Sequence, residues 1–327
     1  MINRKILIYL CITIIAGCGS DNSVYPDDPN RWYYSLDEAL HDSTTVKLLS
    51  LSGGGLTSLS ADIGKLKKLE ELDLSNNKLM ILPREIGELS NLKILFLQHN
   101  RLIYLPSEIG NLKTLVSLIL YDNSLTTLPV QLEYCDSLSN LDISSNSFNS
   151  LPSIVPKLSI GSLDISYNPI YGFPTELCKM NRLYSLSLSG LHIDIVPDSI
   201  GNLIHLTDLV LNENNISSVP QTLELMSFLS DLSLSINNIS TFPITITKLK
   251  YLSYLNLDMN QIDSIPTGIG DLSVLMQLYL SKNKLKKLPN EISKLQYLNE
   301  LDLFGNSIPN EEKAKIVQWL PKTKIYF

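Results

Sequence analysis

The sequence predicts an α/β solenoid in which about 12 short parallel strands form one concave sheet. Three observations predict it. A Leu-x-Leu-x-x-Asn unit recurs along most of the chain, a proline follows the Asn position at a fixed distance, and both keep a nearly constant spacing, as from Asn77 to Asn100. Alternating leucines give a short strand with one buried face. One unit cannot bury its own leucine face, so only a stack of units is stable.

The unit is regular enough to be followed from one end of the chain to the other. Leu72-x-Leu74-x-x-Asn77 is the first full copy, and one shorter step, from Asn146 to Asn168, interrupts the spacing. An initial coil that begins at Val46 has Gly in place of Asn, which gives twelve repeats over residues 46–306. The predicted ladder of structural Asn residues comprises Asn77, Asn100, Asn123, Asn146, Asn168, Asn214, Asn237, Asn260, Asn283 and Asn306.

The whole unit, Leu-x-x-Leu-x-Leu-x-x-Asn-x-Leu-x-x-Leu-Pro-x-x-Ile-Gly-x-Leu, resembles the leucine-rich-repeat family in a form found in bacterial proteins. The resemblance covers residues 46–306. It implies a curved horseshoe whose convex side consists of short helical, 3-10 or irregular segments. We expect each Asn amide to bond backbone groups of adjacent coils, because a buried group left unpaired costs about 1–3 kcal/mol.

A short helix is expected to cap each end of the stack. Ser35 and Glu38 form a capping box, which predicts an N-terminal cap over residues 35–45. The C-terminal cap is expected over residues 307–327, with a helix that starts at Pro309 and an apolar tail from Ile325 to Phe327. The repeats therefore extend from cap to cap.

The N-terminus carries a predicted secretory signal over residues 1–17. Arg4 and Lys5 precede a short apolar run, which is too short for a bilayer span of about 20 residues. The ending Ile15-Ala16-Gly17-Cys18 resembles the lipobox of bacterial lipoproteins, and this resemblance implies lipidation of Cys18. Residues 18–34 are then a tether to the cell envelope, most simply at the outer membrane, facing either side. The alternative is an ordinary leader cleaved nearby.

No group of side chains predicts catalysis, a metal site or a cofactor. The four histidines fall at unrelated repeat positions, and the spacing of His and Cys fits no metal site. Cys135 and Cys178 lie two coils apart, too far for a disulfide. Asp142 and Asp164 should be neighbours on adjacent strands, but Asp at this position also recurs elsewhere, which favours solvated strand residues over acid-base groups.

The exposed positions of the strands predict where a partner binds. Large apolar and aromatic residues there are typical of binding hot spots. One predicted cluster comprises Ile94, Phe96, His99, Ile119 and Tyr121, and a looser second cluster comprises Tyr254, Tyr279 and Phe304. Scattered exposed apolar residues are also ordinary on any surface.

The middle coils are irregular. The shorter step has lost one residue between Leu158 and Ile160, and Leu191 replaces Asn in the next coil. We expect a bend or altered stacking there.

The charge limits the class of partner. The formal net charge is −7, and it becomes more negative if the leader with Arg4 and Lys5 is removed. A negative surface repels phosphate backbones, so nucleic acid is not expected. The sequence thus predicts a non-enzymatic, envelope-anchored protein-binding module that contacts the membrane through its lipid alone; a scaffold without a tight ligand is the alternative.

Overall fold

The computed structural model describes residues 30–327, which form a single parallel sheet of 14 strands in chain order. Each strand pairs in register with the next, so that Leu72 lies beside Leu95 and Leu95 beside Leu118. The strands are β1 Trp32–Tyr33, β2 Leu48–Ser50, β3 Glu71–Asp73, β4 Ile94–Phe96, β5 Ser117–Ile119, β6 Asn140–Asp142, β7 Ser162–Asp164, β8 Ser185–Ser187, β9 Asp208–Val210, β10 Asp231–Ser233, β11 Tyr254–Asn256, β12 Gln277–Tyr279, β13 Glu300–Asp302 and β14 Lys324–Tyr326.

The convex side is made of 3-10 helices, as the sequence predicts. Most begin directly after the repeated proline, which needs no N–H donor there and whose φ is close to that of a helix, as at Pro83 with φ −67°. The 3-10 helices are Ala61–Lys65, Arg84–Glu88, Ser107–Asn111, Val130–Tyr134, Val155–Lys157, Thr175–Lys179, Asp198–Asn202, Gln221–Leu225, Ile244–Lys248, Thr267–Asp271 and Asn290–Lys294.

The core is a continuous column of leucine and isoleucine between the sheet and the 3-10 helices. Leu72, Leu74 and Leu79 of one coil are fully buried, and the equivalent residues of the later coils are buried as well. Burying one such side chain contributes about 1.5–3 kcal/mol. Because each coil contributes only one layer, its buried face exists only where neighbouring coils cover it.

The repeated Asn side chains lie beside this column and join adjacent coils. In Asn146, Oδ1 accepts the N–H of Leu125 at 2.9 Å, while Nδ2 donates to the carbonyl of Leu120 in the preceding coil at 3.0 Å. Nδ2 also donates to the carbonyls of Ile143 and Ser144 in its own coil. The amide thus satisfies backbone groups that the strands and 3-10 helices leave unpaired. The same pattern is present at Asn77, Asn100, Asn123, Asn168, Asn237, Asn260 and Asn283.

Both ends of the sheet are closed by a strand as well as by a helix. At the N-terminus, helix α1 (Leu36–His41) is capped by the Ser35 hydroxyl, which accepts the N–H of Glu38, and Ala39 is fully buried. At the C-terminus, helix α2 (Asn310–Trp319) buries Ile316. α1 ends at His41, before the residue 45 boundary of the predicted cap.

The two terminal strands add to the predicted number of about 12, because β2 to β13 are the strands of the twelve repeats. β1 lies inside the segment predicted to be a tether, and pairs with β2. β14 comes from the predicted apolar tail, and pairs with β13. A solenoid sheet has two edges whose N–H and C=O groups would otherwise be unpaired. The flanking segments supply partners for these edges, an effect that a count of repeats does not include.

The irregular middle coils keep the sheet intact. Asp142, Asp164 and Ser187 are aligned across β6, β7 and β8 without a change of register. The lost residue is absorbed on the convex side, where the 3-10 helix Val155–Lys157 is shorter than those of the other coils. The altered stacking is therefore confined to the convex side; a bend of the array stays a prediction.

The coil that lacks an Asn is bonded in an additional way to the coil that follows it. Leu191 occupies the Asn position, and its own N–H donates to Oδ1 of Asn214 at 3.0 Å. The same oxygen accepts the N–H of Ile193 at 3.0 Å. Asn214 therefore serves two buried donors through one atom.

We expect Asn214→Ala to destabilise the fold more than the same change at Asn306. The first change leaves two buried N–H groups without an acceptor, at about 1–3 kcal/mol each. Asn306 accepts one N–H, that of Leu285, and lies half-buried in the last repeat. Urea unfolding followed by circular dichroism measures both. Equal losses in the free energy of unfolding would show that the second N–H accepted by Asn214 does not contribute to stability.

Candidate partner-binding face

The concave face consists of the side chains six, four, two and one residues before each Asn position. Its charged side chains are almost all acidic: Glu71, Asp73, Asp122, Asp142, Asp164, Asp208, Glu213, Asp231, Asp258, Glu300 and Asp302. At the same positions of the twelve repeats, Lys282 is the one lysine or arginine. Charges of one sign along a curved surface sum to an extended negative potential. Such a face attracts basic partners and repels phosphate groups.

Several of these aspartates also have a structural role. In Asp142, Oδ1 accepts the N–H of Ser144 at 3.0 Å, and Oδ1 of Asp302 accepts the N–H of Phe304 at 2.9 Å. Asp73 and Asp164 make the same bond to the residue two positions on. A carboxylate in this position turns the backbone out of the strand. The recurrence of Asp there therefore has a local cause. The expectation of solvated strand residues was wrong, since Asp73 is 3% exposed and burial raises the pKa of Asp142 and of Asp164.

Asp142 and Asp164 are neighbours on the floor of the concave face, as their repeat positions predict. Burial is the main cause that raises the pKa of Asp142 to about 7, and the negative charge of the adjacent Asp164 adds to it. The hydrogen bonds from Ser144 act in the opposite direction. Burial also raises the pKa of Asp164. Two close carboxylates in a partly dry site resist ionising together, so the pair holds a proton at pH values where a solvated aspartate is ionised.

We expect Asp142→Asn to remove a loss of stability that accompanies rising pH. A group whose pKa is raised by folding stabilises the native state fully below its unfolded pKa, near 3.9, and this stability is lost as pH rises through the folded value of about 7. The variant should therefore match the native chain near pH 4 and be more stable at pH 8, by on the order of 1 kcal/mol or more. Urea unfolding at both pH values measures it.

The matched control is Asp271→Asn on the convex side, where the side chain is exposed. It makes the same change in net charge without changing the buried pair. If Asp142→Asn and Asp271→Asn had the same pH dependence, the shared proton would be excluded.

The first predicted cluster is only partly available to a partner. Ile94, Ile119 and Tyr121 are partly exposed on the concave face, whereas Phe96 is 7% exposed. Phe96 lies between Asp73 and Ile119 on the flanking strands. The expectation that Phe96 presents a large surface is therefore wrong: its ring is covered by its neighbours and can contribute little contact area.

His99 of this cluster is held by the next coil. Its Nδ1 lies 2.6 Å from Oδ2 of Asp122, and its Nε2 lies 2.7 Å from the hydroxyl of Tyr121. The rings of His99 and Tyr121 meet edge to face, with centroids 4.6 Å apart. His99 is thus a fixed polar feature next to the apolar patch of Ile94 and Ile119.

The second predicted cluster divides into a pair and an isolated residue. Tyr254 and Tyr279 are adjacent, with ring centroids 5.5 Å apart. The Tyr279 hydroxyl donates to Oε2 of Glu300 at 2.9 Å, and burial together with this bond raises the pKa of Tyr279. Phe304 is 56% exposed in the last repeat. The pair forms an acid-lined aromatic surface, and Phe304 projects from the end of the face.

A bridge across three coils was not predicted. The Tyr167 hydroxyl donates to Oε1 of Glu213, two coils away, at 2.7 Å. Its ring crosses Gly190 of the intervening coil, where an added Cβ would lie 2.6 Å from the ring and where φ is +66°. Burial and the bond to Glu213 raise the pKa of Tyr167 to about 12. The signal in the sequence is an aromatic residue, a glycine and an acid at one repeat position of successive coils.

The two cysteines within the described residues are buried and free. Burial raises the pKa of Cys135 to about 11, and that of Cys178 is also raised. The thiolate is the reactive form, so both thiols are poor nucleophiles. Between residues 30 and 327 no cluster of three His, Cys, Asp or Glu side chains could hold a metal ion.

A cleft of about 550 Å³ opens on the convex side at the irregular coil. It lies beside the shortened 3-10 helix, and its lining includes Leu151, Pro156, Ile170 and Phe173. Of these side chains, Leu151 and Phe173 are partly exposed and Ile170 is buried.

None of the helices in residues 30–327 has the length and apolar content to cross a bilayer.

Comparison with known proteins supports the same fold. A family model described as leucine-rich repeat region matches residues 226–323, and one described as leucine rich repeat matches residues 44–102. A search of curated proteins found no match. The fold is a curved leucine-rich-repeat solenoid.

Three solved structures illustrate the likeness. A leucine-rich-repeat protein of Leptospira interrogans is 28% identical with a TM-score of 0.56, covering 91% of this chain and all of that one. The plant peptide hormone receptor RGFR1, in complex with RGF2, is 30% identical with a TM-score of 0.63, covering 82% of this chain and 45% of the receptor. An internalin of Listeria monocytogenes, at 22% identity and a TM-score of 0.69, covers 88% of both chains and shares the fold.

Proposed function

We propose that this chain is a non-enzymatic binding protein that recognises a protein partner through its concave face. The observation that supports it best is the face itself, which extends over twelve repeats and carries acidic and aromatic side chains beyond those the fold requires. The similar plant receptor was solved with a peptide, which fits this use of the scaffold. A solenoid presents an extended concave surface to its partner.

The same face argues against a nucleic acid partner. Nucleic acid binding draws most of its affinity from lysine and arginine contacts to phosphates. Acidic residues line the strands here, and Lys282 is isolated among them. A protein segment, which can carry the opposite charge, is the complementary ligand.

We further propose that the chain is anchored to the bacterial envelope by a lipid on Cys18, which lies outside the described residues. The proposal is supported by the small residues Ala16 and Gly17 before Cys18 and by the short apolar run that precedes them. A single acyl chain binds membranes only marginally, so several chains would be needed for durable anchoring.

We expect Cys18→Ser to abolish incorporation of radiolabelled palmitate, because it removes the thiol that would carry the lipid. The nearby substitution Ser20→Ala is the control and should leave incorporation unchanged. Palmitate incorporation that survives Cys18→Ser would overturn the lipid anchor.

Blocking one side of the solenoid tests the binding face. We expect a polyethylene glycol maleimide attached at Met259→Cys, on the concave face and 44% exposed, to abolish saturable capture of the partner protein. The same label at Ser107→Cys, exposed on a convex 3-10 helix, should leave capture unchanged. A chain with Cys11→Ser and Cys18→Ser is suitable, because its two remaining cysteines, Cys135 and Cys178, are buried with raised pKa values. Equal capture by both labelled chains would exclude the concave face.

A further inference from the structure

The concave face contains a depression over β9, β10 and β11 with a volume of about 190 Å³. It is lined by Leu209, Val210, Asn212, Asp231, Ser233 and Tyr254, and we call it the β10 depression. It forms because β10 carries the short side chain of Ser233 between the larger Val210 and Asn256 on the flanking strands. The small side chain of Ser233 thus leaves a recess in the middle of the sheet, and we also refer to the β10 depression as the socket.

The polar floor of the β10 depression is already ordered. The Ser233 hydroxyl donates to Oδ1 of Asn212 at 2.7 Å, and the N–H of Ser235 donates to the same oxygen at 2.9 Å. These bonds fix the Asn212 side chain before any ligand arrives. A ligand group entering the socket therefore meets a rigid floor, which reduces the entropy lost on binding.

The walls of the β10 depression have the chemistry of a cation site. Asp231 and Tyr254 line it on β10 and β11, and Asp208, the register partner of Asp231 on β9, lies beside this lining. The lining includes no lysine or arginine. A cation over an aromatic ring gains about 0.5–2 kcal/mol, and a carboxylate beside the ring adds a charge-assisted hydrogen bond.

Arginine fits these walls better than lysine. Its guanidinium is planar, so it can stack on the Tyr254 ring while its N–H groups reach the Asp231 carboxylate. It is also more weakly hydrated than an ammonium group, and it loses less when it leaves water for a partly enclosed socket. The aliphatic stem would lie against Val210.

The surroundings of the socket favour an extended basic segment. Asp258 lies on the coil of β11, and Glu300 lies on β13 beyond the tyrosine pair. Neighbouring strands are about 4.8 Å apart, so β9 to β13 spans about 19 Å, the length of roughly six extended residues. A short segment crossing the strands could place basic side chains over Asp231, Asp258 and Glu300, whereas the coil of β12 carries Lys282 and no acid on this face.

We propose that the β10 depression anchors an arginine side chain of an extended basic segment of the partner protein. The inference rests on the proposed protein-binding function and specifies the chemistry of the partner. Asp231 and Tyr254 supply the specificity, and the surrounding acids supply long-range attraction.

The test measures binding of a fluorescein-labelled peptide of alternating Arg and Ser to the Cys18→Ser chain by fluorescence anisotropy. We expect Asp231→Asn and Tyr254→Ala each to weaken binding about tenfold at about 0.15 M salt, where long-range attraction is screened. Tyr254→Phe keeps the ring and should bind within about twofold of the parent. Peptides with lysine, or with citrulline as the neutral isostere, should bind more weakly than the arginine peptide.

The matched control is Asp271→Asn, an exposed acid on the convex 3-10 helix Thr267–Asp271. It changes net charge as Asp231→Asn does and should leave peptide affinity unchanged. Circular dichroism melting of each variant establishes that it is folded. Equal losses in Asp231→Asn and Asp271→Asn, or equal binding of arginine and citrulline peptides, would overturn the arginine socket.

The two proposals fail in different ways. If Asp231→Asn and Tyr254→Ala leave peptide affinity unchanged while the label at Met259 still blocks partner capture, the concave face binds its partner without an arginine anchor. If the label at Met259 does not affect capture, the face itself is excluded. The peptide result then decides only whether the socket binds arginine.

Discussion

The structure depends on the pairing of backbone groups between coils that are too small to be stable alone. Each coil contributes a short strand, a short 3-10 helix and one layer of leucine. Its remaining N–H and C=O groups are satisfied by an Asn side chain that bonds its own coil and the one before it. Burial supplies the driving force, but the amide bonds fix the spacing at which coils can stack. Where Leu191 replaces Asn, Oδ1 of Asn214 in the following coil accepts the N–H of Leu191 as well as that of Ile193.

Much of the fold could be predicted because each element has a short-range cause. Leu72 and Leu74 alternate, Pro83 starts a 3-10 helix and Ser35 caps α1, and each follows from a few adjacent residues. The terminal strands β1 and β14 could not be predicted in this way. Their sequences carry no repeat, and they become strands only because the sheet edges they meet are unpaired.

The candidate site was less predictable for a related reason. The repeat indicates which side chains belong to the concave face, yet their exposure depends on neighbours that are one coil away in space and a full repeat away in sequence. Phe96 is covered for this reason, and the ring of Tyr167 crosses a glycine to reach Glu213. The β10 depression similarly reflects small residues on one strand between larger ones on the next, a comparison across coils that no single repeat contains.

The shortened coil at Val155–Lys157 shows that the two sides of the solenoid are independent in length. A residue is removed from the convex side, while Asp142, Asp164 and Ser187 stay aligned on the sheet. The strands of the concave face therefore keep a constant spacing of about 4.8 Å. Changes in the length of the convex segments leave this spacing unaltered, so the face could keep its ligand while the outer surface diverges.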